Sequence, residues 1–352
     1  MTPLRSVICI ALLALAFPLL ADTDTPATSA PLFAANDILD VTIEVPLDRL
    51  MLERPTEEEL PATLLYEDAD GSTVSLEIGV RTRGKYRRQW RICPFAPLRL
   101  NFRKAEVKDT LFATVDKIKM VTHCRSGRDS YQQTVLREFL AYRILNIITD
   151  YSYRVRLLRV RYVDTENDDV NADNFGFLIE HRDQLAERTG LEVKKLDATH
   201  VADLDPTHTN LGSLFQYLIG NTDFSPIAGT AGEECCHNYS LLGQTDGPLF
   251  AVPYDFDMSG WVNAAYATPN PKFDLRNVRE RLYRGRCENN SLLATSVQLF
   301  QDHQAEISAL VTESEHLKTS TKNQLIRYLD DFYKRTGNPK TVQSRLLKKC
   351  AE

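Results

Sequence analysis

Through much of the first half of the chain, apolar and polar residues alternate at every second position. DVTIEVPL (40–47), ATLLYED (62–68), TVSLEIGVRTRG (73–84), LRLNF (98–102) and DKIKMV (116–121) carry this pattern or a β-branched run, with turn residues such as DADGS between them. Such segments predict strands. In LEIGVRTRG the alternation packs one face and presents Arg81 and Arg83 on the other. The period then becomes helical. Val135, Leu136, Phe139, Leu140, Ile144 and Ile147 fall at helical spacing between Asp129 and Ile148, and Asp129 is placed to cap the start. YRVRLLRVRYVD and NFGFLIE predict two more strands, joined by the polar loop ENDDVNAD.

Helical patterning dominates from His181 onward, in RDQLAERTG and NLGSLFQYLIGN. HNYSLLG and PLFAVPYD predict a small hairpin around a GQTDG turn. Two long helical stretches follow, SLLATSVQLFQDHQAEISALV and KNQLIRYLDDFYKR. The organisation expected is α+β. A β-rich N-terminal lobe (37–180) holds one long helix, and a helical C-terminal lobe (181–352) holds the hairpin. A cleft between unlike lobes is a common ligand site.

The N-terminus changes the picture of where the chain works. MTPLRSVICIALLALAFPLLADTD has one Arg, a short apolar run and then a polar, acidic stretch. That is the layout of a signal peptide (1–21), too short to be a membrane span, followed by a flexible leader (22–36) rich in Thr, Ala, Pro and Ser. No later segment is apolar enough to cross a bilayer. The protein is therefore expected in the periplasm or outside the cell. A net charge of −6 argues against nucleic acid as a partner, although Arg is locally dense in RTRGKYRRQWR and RERLYRGR. Such clusters suit phosphate or carboxylate recognition, or are solvated surface. Besides Cys9 in the signal, the chain has Cys93, Cys124, Cys235, Cys236, Cys287 and Cys350. An even set in an exported chain points to disulfides rather than zinc, whose ligand pairs are spaced differently. Cys93 with Cys124 would tie neighbouring strands, and Cys235 and Cys236 would reach Cys287 and Cys350.

The chemistry concentrates in NTDFSPIAGTAGEECCHNYSLLGQTDGPLFAVPYDFDMSG (221–260). Asp223, Asn238, Asp255 and Asp257 lie there among apolar strand residues. Carboxylates in such a setting must be solvated, paired or bound to a cation. Metal-assisted phosphoryl transfer needs one carboxylate at the nucleophile, an Asn and an Asp on the metal ions, and a Lys at the phosphates. Residue types alone equally allow Asp223 as a turn cap, Asn238 as a strand start, and Asp255 with Asp257 as a polar corner.

The order of these motifs resembles two families. YLIGNTD, HNYSLL and LFAVPYDFD are similar to the catalytic segment of HipA-type kinases. VTIEVPLDRL, IGVRTRG, PLRLNF, LREFLAYRIL, Gly176–Glu180 and Pro253–Asp257 resemble the spore-coat protein H (CotH) kinase family, over most of residues 39–260. The resemblance implies a two-lobed atypical protein-kinase-like fold. It implies Asp223 as the catalytic residue, and Asn238 and Asp255 as metal ligands with Asp257 as a further one. Glu180 would lie at a hinge where the backbone meets adenine. Lys119, linked to Glu138, would steady the phosphates, with Lys85 as its rival. The cofactors implied are ATP and Mg²⁺ or Mn²⁺.

This chain departs from the pattern by inserting FSPIAGTAGEECCH between Asp223 and Asn238, and by RGK after the first-lobe strand. A disulfide through Cys235 or Cys236 would pin the insertion. His123 reads as a structural residue beside Cys124 before it reads as catalytic. The function expected is a secreted phosphotransferase acting on a protein or cell-envelope hydroxyl. The alternatives are an inactive pseudokinase-like binding or scaffold protein, and an AMP transferase.

Overall fold

The computed structural model describes residues 30–351 except Ala231, and the side chain of Ala172 is also left undescribed. The expected signal peptide (1–21) and the start of the leader lie outside the described residues. At the end of the leader, Pro31–Phe33 forms a single turn, and its Leu32 and Phe33 are buried in the barrel core.

All seven strands predicted in the first half are present. They are β1 (Leu39–Val45), β2 (Leu60–Glu67), β3 (Thr73–Thr82), β4 (Leu98–Phe102), β5 (Lys117–Val121), β6 (Val155–Asp164) and β7 (Val170–Ile179). Helix α1 (Leu47–Glu53) and the short α2 (Lys104–Val107) interrupt them. β7 begins at Val170, inside the expected loop, because Val170 and Asn171 pair with Val163 and Tyr162 on β6.

These strands form a closed barrel in the order β1-β2-β3-β4-β5-β7-β6. Every pairing is antiparallel except the one that closes it, where β1 runs parallel to β6 over Leu39–Val45. This overturns the two-lobed protein-kinase-like fold. A sheet closed on itself, with no free edge, is a barrel rather than a kinase lobe, although the chain as a whole is α+β. The period-two pattern fixes which side of each strand faces the core. It carries no information on whether the first strand meets the sixth.

The barrel is filled by the alternate residues of its strands, among them Ile43, Leu64, Val80, Leu100, Leu158 and Leu178. β6 and β7 are buried on both sides: Leu158, Val160 and Leu178 point inward, while Leu157, Phe177 and Ile179 pack outward on a second core. The two-sided burial does not run the length of β6, where Arg159 and Arg161 are exposed.

That second core is built around α3 (Asp129–Ile148), whose span matches the helical pattern. Asp129 is its first helical residue and pairs with Lys318, so no side chain caps the start. Then follow α4 (Arg182–Thr189), β8 (Glu192–Lys194), α5 (Pro206–Ile219), β9 (Tyr239–Gly243) and β10 (Phe250–Pro253). After a long irregular segment come α6 (Leu293–Asp302), α7 (Gln304–Thr312) and α8 (Thr319–Thr336). The core joins α3, the outer face of β6 and β7 and these helices without a break at residue 180. Cys93–Cys124 and Cys287–Cys350 are disulfide-bonded. Cys235 and Cys236 bond to each other, which corrects the expectation that they reach Cys287 and Cys350. Adjacency in the chain holds the two sulfurs together. Among the described residues, no helix is long and apolar enough to cross a membrane.

Candidate active site

The hairpin explains how residues far apart in sequence meet. β9 and β10 are antiparallel with Tyr239 opposite Pro253, so Asn238 before the first strand lies beside Tyr254 and Asp255 after the second. The Tyr254 N–H donates to the Asn238 carbonyl at 3.0 Å. Asn238 (φ 57°) and Asp255 (φ 62°) are both left-handed, a backbone state that Asn and Asp tolerate better than most residues.

Asp223 arrives from α5. That helix ends at Gly220, φ 63°, where a Cβ would collide with the Tyr328 hydroxyl. The Arg284 guanidinium then donates to the carbonyls of Thr222 (2.9 Å) and Phe224 (2.8 Å), gripping the chain on both sides of Asp223. Arg281 likewise binds the Leu218 carbonyl and Asp331. The Arg-rich RERLYRGR segment therefore positions the loop. The insertion is closed by a backbone bridge between Ser225 and His237, with the Ser225 N–H donating at 2.9 Å, and not by a link to a distant cysteine.

Asp223, Asn238, Asp255 and Asp257 consequently line one cavity of about 410 Å³, together with Arg83, Lys85, Arg87, His237 and Tyr254. The Asn238 side-chain amide donates to the Asp223 carbonyl (2.7 Å) and carboxylate (3.3 Å). His237 Nε2 meets the other carboxylate oxygen at 2.8 Å, and this bond raises the His237 pKa above its ordinary value. Asp257 is buried against Arg87 Nε (3.2 Å) and accepts from the Tyr266 hydroxyl (3.1 Å). Burial, then the neighbouring Asp255, push Asp257 up to about 6. Asp255 differs from the others. Its N–H donates to the Tyr142 hydroxyl, but its carboxylate has no partner among the described residues.

A second chamber of about 250 Å³ adjoins the first across Arg83, Tyr254 and Asp255. It lies between the outer face of the barrel and the hairpin, and its cations are Arg83, Arg99, Lys119 and Arg182. Lys119 is on β5, directly opposite Arg99 on β4 and Ile179 on β7. Its ammonium sits 4.6 Å from the centre of the Tyr254 ring. Burial, then the nearby Arg83, lowers its pKa to about 8.

The remaining predicted residues are placed differently. Glu138 does not pair with Lys119; its cation is Arg87, at 3.7 Å, and burial pushes Glu138 up to about 8. Lys119 instead lines the cationic chamber from β5, opposite Arg99, a relation that spacing along the chain does not reveal. Lys85 is exposed at the rim of the acidic cavity and pairs with Glu233. Glu180 lines the second chamber, yet its carboxylate is held by Arg188 at 2.9 and 3.0 Å and by the Arg154 N–H, while its own N–H donates to the Arg154 carbonyl. His123 is fully buried against Phe95 and bonded to Ser126, a structural role.

Sequence reasoning missed Arg87, Arg99, His237 and Tyr254. Arg99 alone was within reach, because PLRLNF alternates as IGVRTRG does. Among the described residues, no three His, Cys, Asp or Glu side chains are gathered tightly enough to hold a metal ion by themselves. The sequence matches no protein-family model and no curated protein.

Proposed function

We propose that the chain binds ATP with Mg²⁺ or Mn²⁺ and transfers a phosphoryl group to a hydroxyl of a protein or cell-envelope component. The observation that carries the reading is the juncture of the two chambers. An acidic cavity with Asp223, Asn238 and Asp255 opens onto a cationic one across Arg83 and Asp255. The reading rests on the site and not on the fold, since one chemistry recurs on unrelated folds.

The donor set fits a hard divalent cation. Asp255 offers an unpartnered carboxylate, and Asn238 spends its amide N–H groups on Asp223, which leaves its oxygen without a donor. Mg²⁺ takes oxygen ligands and is often held by one or two protein groups plus phosphates and water. Asn238 and Asp255 would hold the ion, with Asp257, which is paired with Arg87, as a further ligand. The bound ion supplies charge neutralisation at the phosphate oxygens. Asp223, fixed by His237 and Asn238, orients the acceptor hydroxyl, while Lys119 and Arg83 offset charge on the phosphates. The work is positioning and electrostatic stabilisation. The signal-like N-terminus and three disulfides support a place outside the cytoplasm.

Thermal unfolding with ATP and Mg²⁺ or Mn²⁺ tests the reading. Ligand at a hundred times its Kd adds about 2.7 kcal/mol. Asp255→Ala should erase that gain, and a wild-type protein that ignores the nucleotide sinks the reading. One observation favours a binding module without transfer: the Asp223 carboxylate is already engaged by His237 and Asn238. Intact-mass analysis of candidate acceptors after incubation with ATP separates the two, and it distinguishes phosphoryl from AMP addition.

A further inference from the structure

The cationic chamber is costly to build. Arg81, Arg99 and Lys119 stand opposite one another across β3, β4 and β5. Their strand neighbours Leu98, Leu100, Ile118 and Met120 fill the barrel, so the row faces outward. Like charges directly opposite on neighbouring strands destabilise a sheet. Arg81 is relieved by Glu59 and the Thr56 carbonyl. Arg99 and Lys119 have no carboxylate within ion-pair reach among the described residues, and neither has Arg83. The Nε atoms of Arg83 and Arg99 are shielded from solvent and lack any hydrogen-bond partner. Within the chamber Glu180 is already neutralised by Arg188, which leaves Asp255 as the one carboxylate facing these cations. Cations that line a cleft side by side with no carboxylate partner mark a place where an anion completes the structure.

The same walls offer little to a nucleobase. The N–H of Glu180 is spent on the Arg154 carbonyl and that of His181 on Gln184. The Tyr153 hydroxyl is bonded to Ser240, and the Tyr142 hydroxyl accepts from Asp255. The Tyr254 ring is already faced by Lys119. Ile179 is the only aliphatic residue of the lining.

We infer that this chamber recognises a polyphosphate chain and is indifferent to what the chain carries. The inference rests on the phosphotransferase reading and specifies its donor class: any nucleoside triphosphate, or an inorganic triphosphate, seated by Arg83, Arg99 and Lys119 with its end directed to Asp255.

Isothermal titration of the full chain in Mg²⁺ buffer with ATP, GTP, CTP, inorganic tripolyphosphate and adenosine tests it. The four triphosphates should bind within about threefold of one another, and adenosine should give no heat. Arg99→Gln should weaken all four together by about tenfold, the loss of one charge-assisted contact. Its outward position lets circular dichroism confirm that the variant folds. Tight ATP with no tripolyphosphate or GTP binding would overturn the inference while leaving the ATP-dependent reading intact. Binding of tripolyphosphate without ATP overturns it too, and no binding by any of the five removes both.

Discussion

The two halves of the site treat charge in opposite ways. In the acidic cavity most carboxylates are answered from within the protein: Asp223 by His237 and Asn238, Asp257 by Arg87 and Tyr266, Glu233 by Lys85. Beside it, Glu138 has Arg87 as an ion-pair neighbour at 3.7 Å but no hydrogen bond among the described residues. In the cationic chamber Arg83, Arg99 and Lys119 have no carboxylate partner among the described residues, and Asp255 at the boundary is equally unclaimed among them. Internally paired charges hold the structure in shape. Unpaired ones, expensive to keep out of water, are where a ligand completes the balance. The contrast therefore separates scaffold from binding surface within one cleft.

The strongest way to break this comparison is to remove the cation that both buried acids share. Arg87→Ala strips the buried Asp257 carboxylate of its ion-pair partner and Glu138 of its neighbouring cation, and should cost about 3–5 kcal/mol in urea unfolding. A loss under about 1 kcal/mol would mean that these acids are stable without it. Arg284→Ala comes next. It removes two hydrogen bonds that flank Asp223 and should cost about 1–3 kcal/mol, with nucleotide-induced stabilisation reduced as well.

Lys119 sharpens the contrast through pH. Its folded-state pKa of about 8 lies below the ordinary value, so between pH 8 and about 10 the unfolded chain holds a proton that the folded chain has released. The penalty of holding the buried ammonium is fully present below pH 8 and is relieved as pH rises across that window, so folding stability rises there. Affinity for a polyphosphate runs the other way and falls above pH 8 by up to about tenfold per pH unit as the ammonium is lost. Paired titrations and melts of wild type and Lys119→Met should show both slopes vanish in the variant. Parallel slopes in the two proteins would locate the titration elsewhere. The smallest effect belongs to Asp255→Asn in the ligand-free protein, a change that keeps a side chain tolerant of the left-handed backbone at φ 62°. The carboxylate has no partner among the described residues, so unfolding free energy should move by less than about 0.5 kcal/mol. A large loss would place Asp255 with the scaffold.

The resemblance drawn from motif order identified residues that do meet around a cavity, but it misjudged the architecture. Asp223, Asn238 and Asp255 were legible because each follows or precedes an element whose pattern is strong: the α5 helix and the two hairpin strands. Their partners were not. Arg87 lies in an irregular segment without periodicity, and it reaches Glu138 and Asp257 only after the barrel and α3 have packed. His237 looked like part of a cysteine cluster until the Ser225–His237 bridge turned it toward Asp223. The pairing of Cys235 with Cys236 was likewise hidden, because cysteine counts do not fix connectivity.

Local sequence determined the seven strands, the span of α3, the hairpin and the face that each strand buries. Side-chain period is a property of the backbone and needs no distant partner. Tertiary structure alone decided that β6 lies alongside β1, that Arg99 faces Lys119 on the neighbouring strand, and that some charges find partners while others stay unmatched. Those outcomes depend on which surfaces come together when the whole chain excludes water, and neighbouring residues carry no record of that.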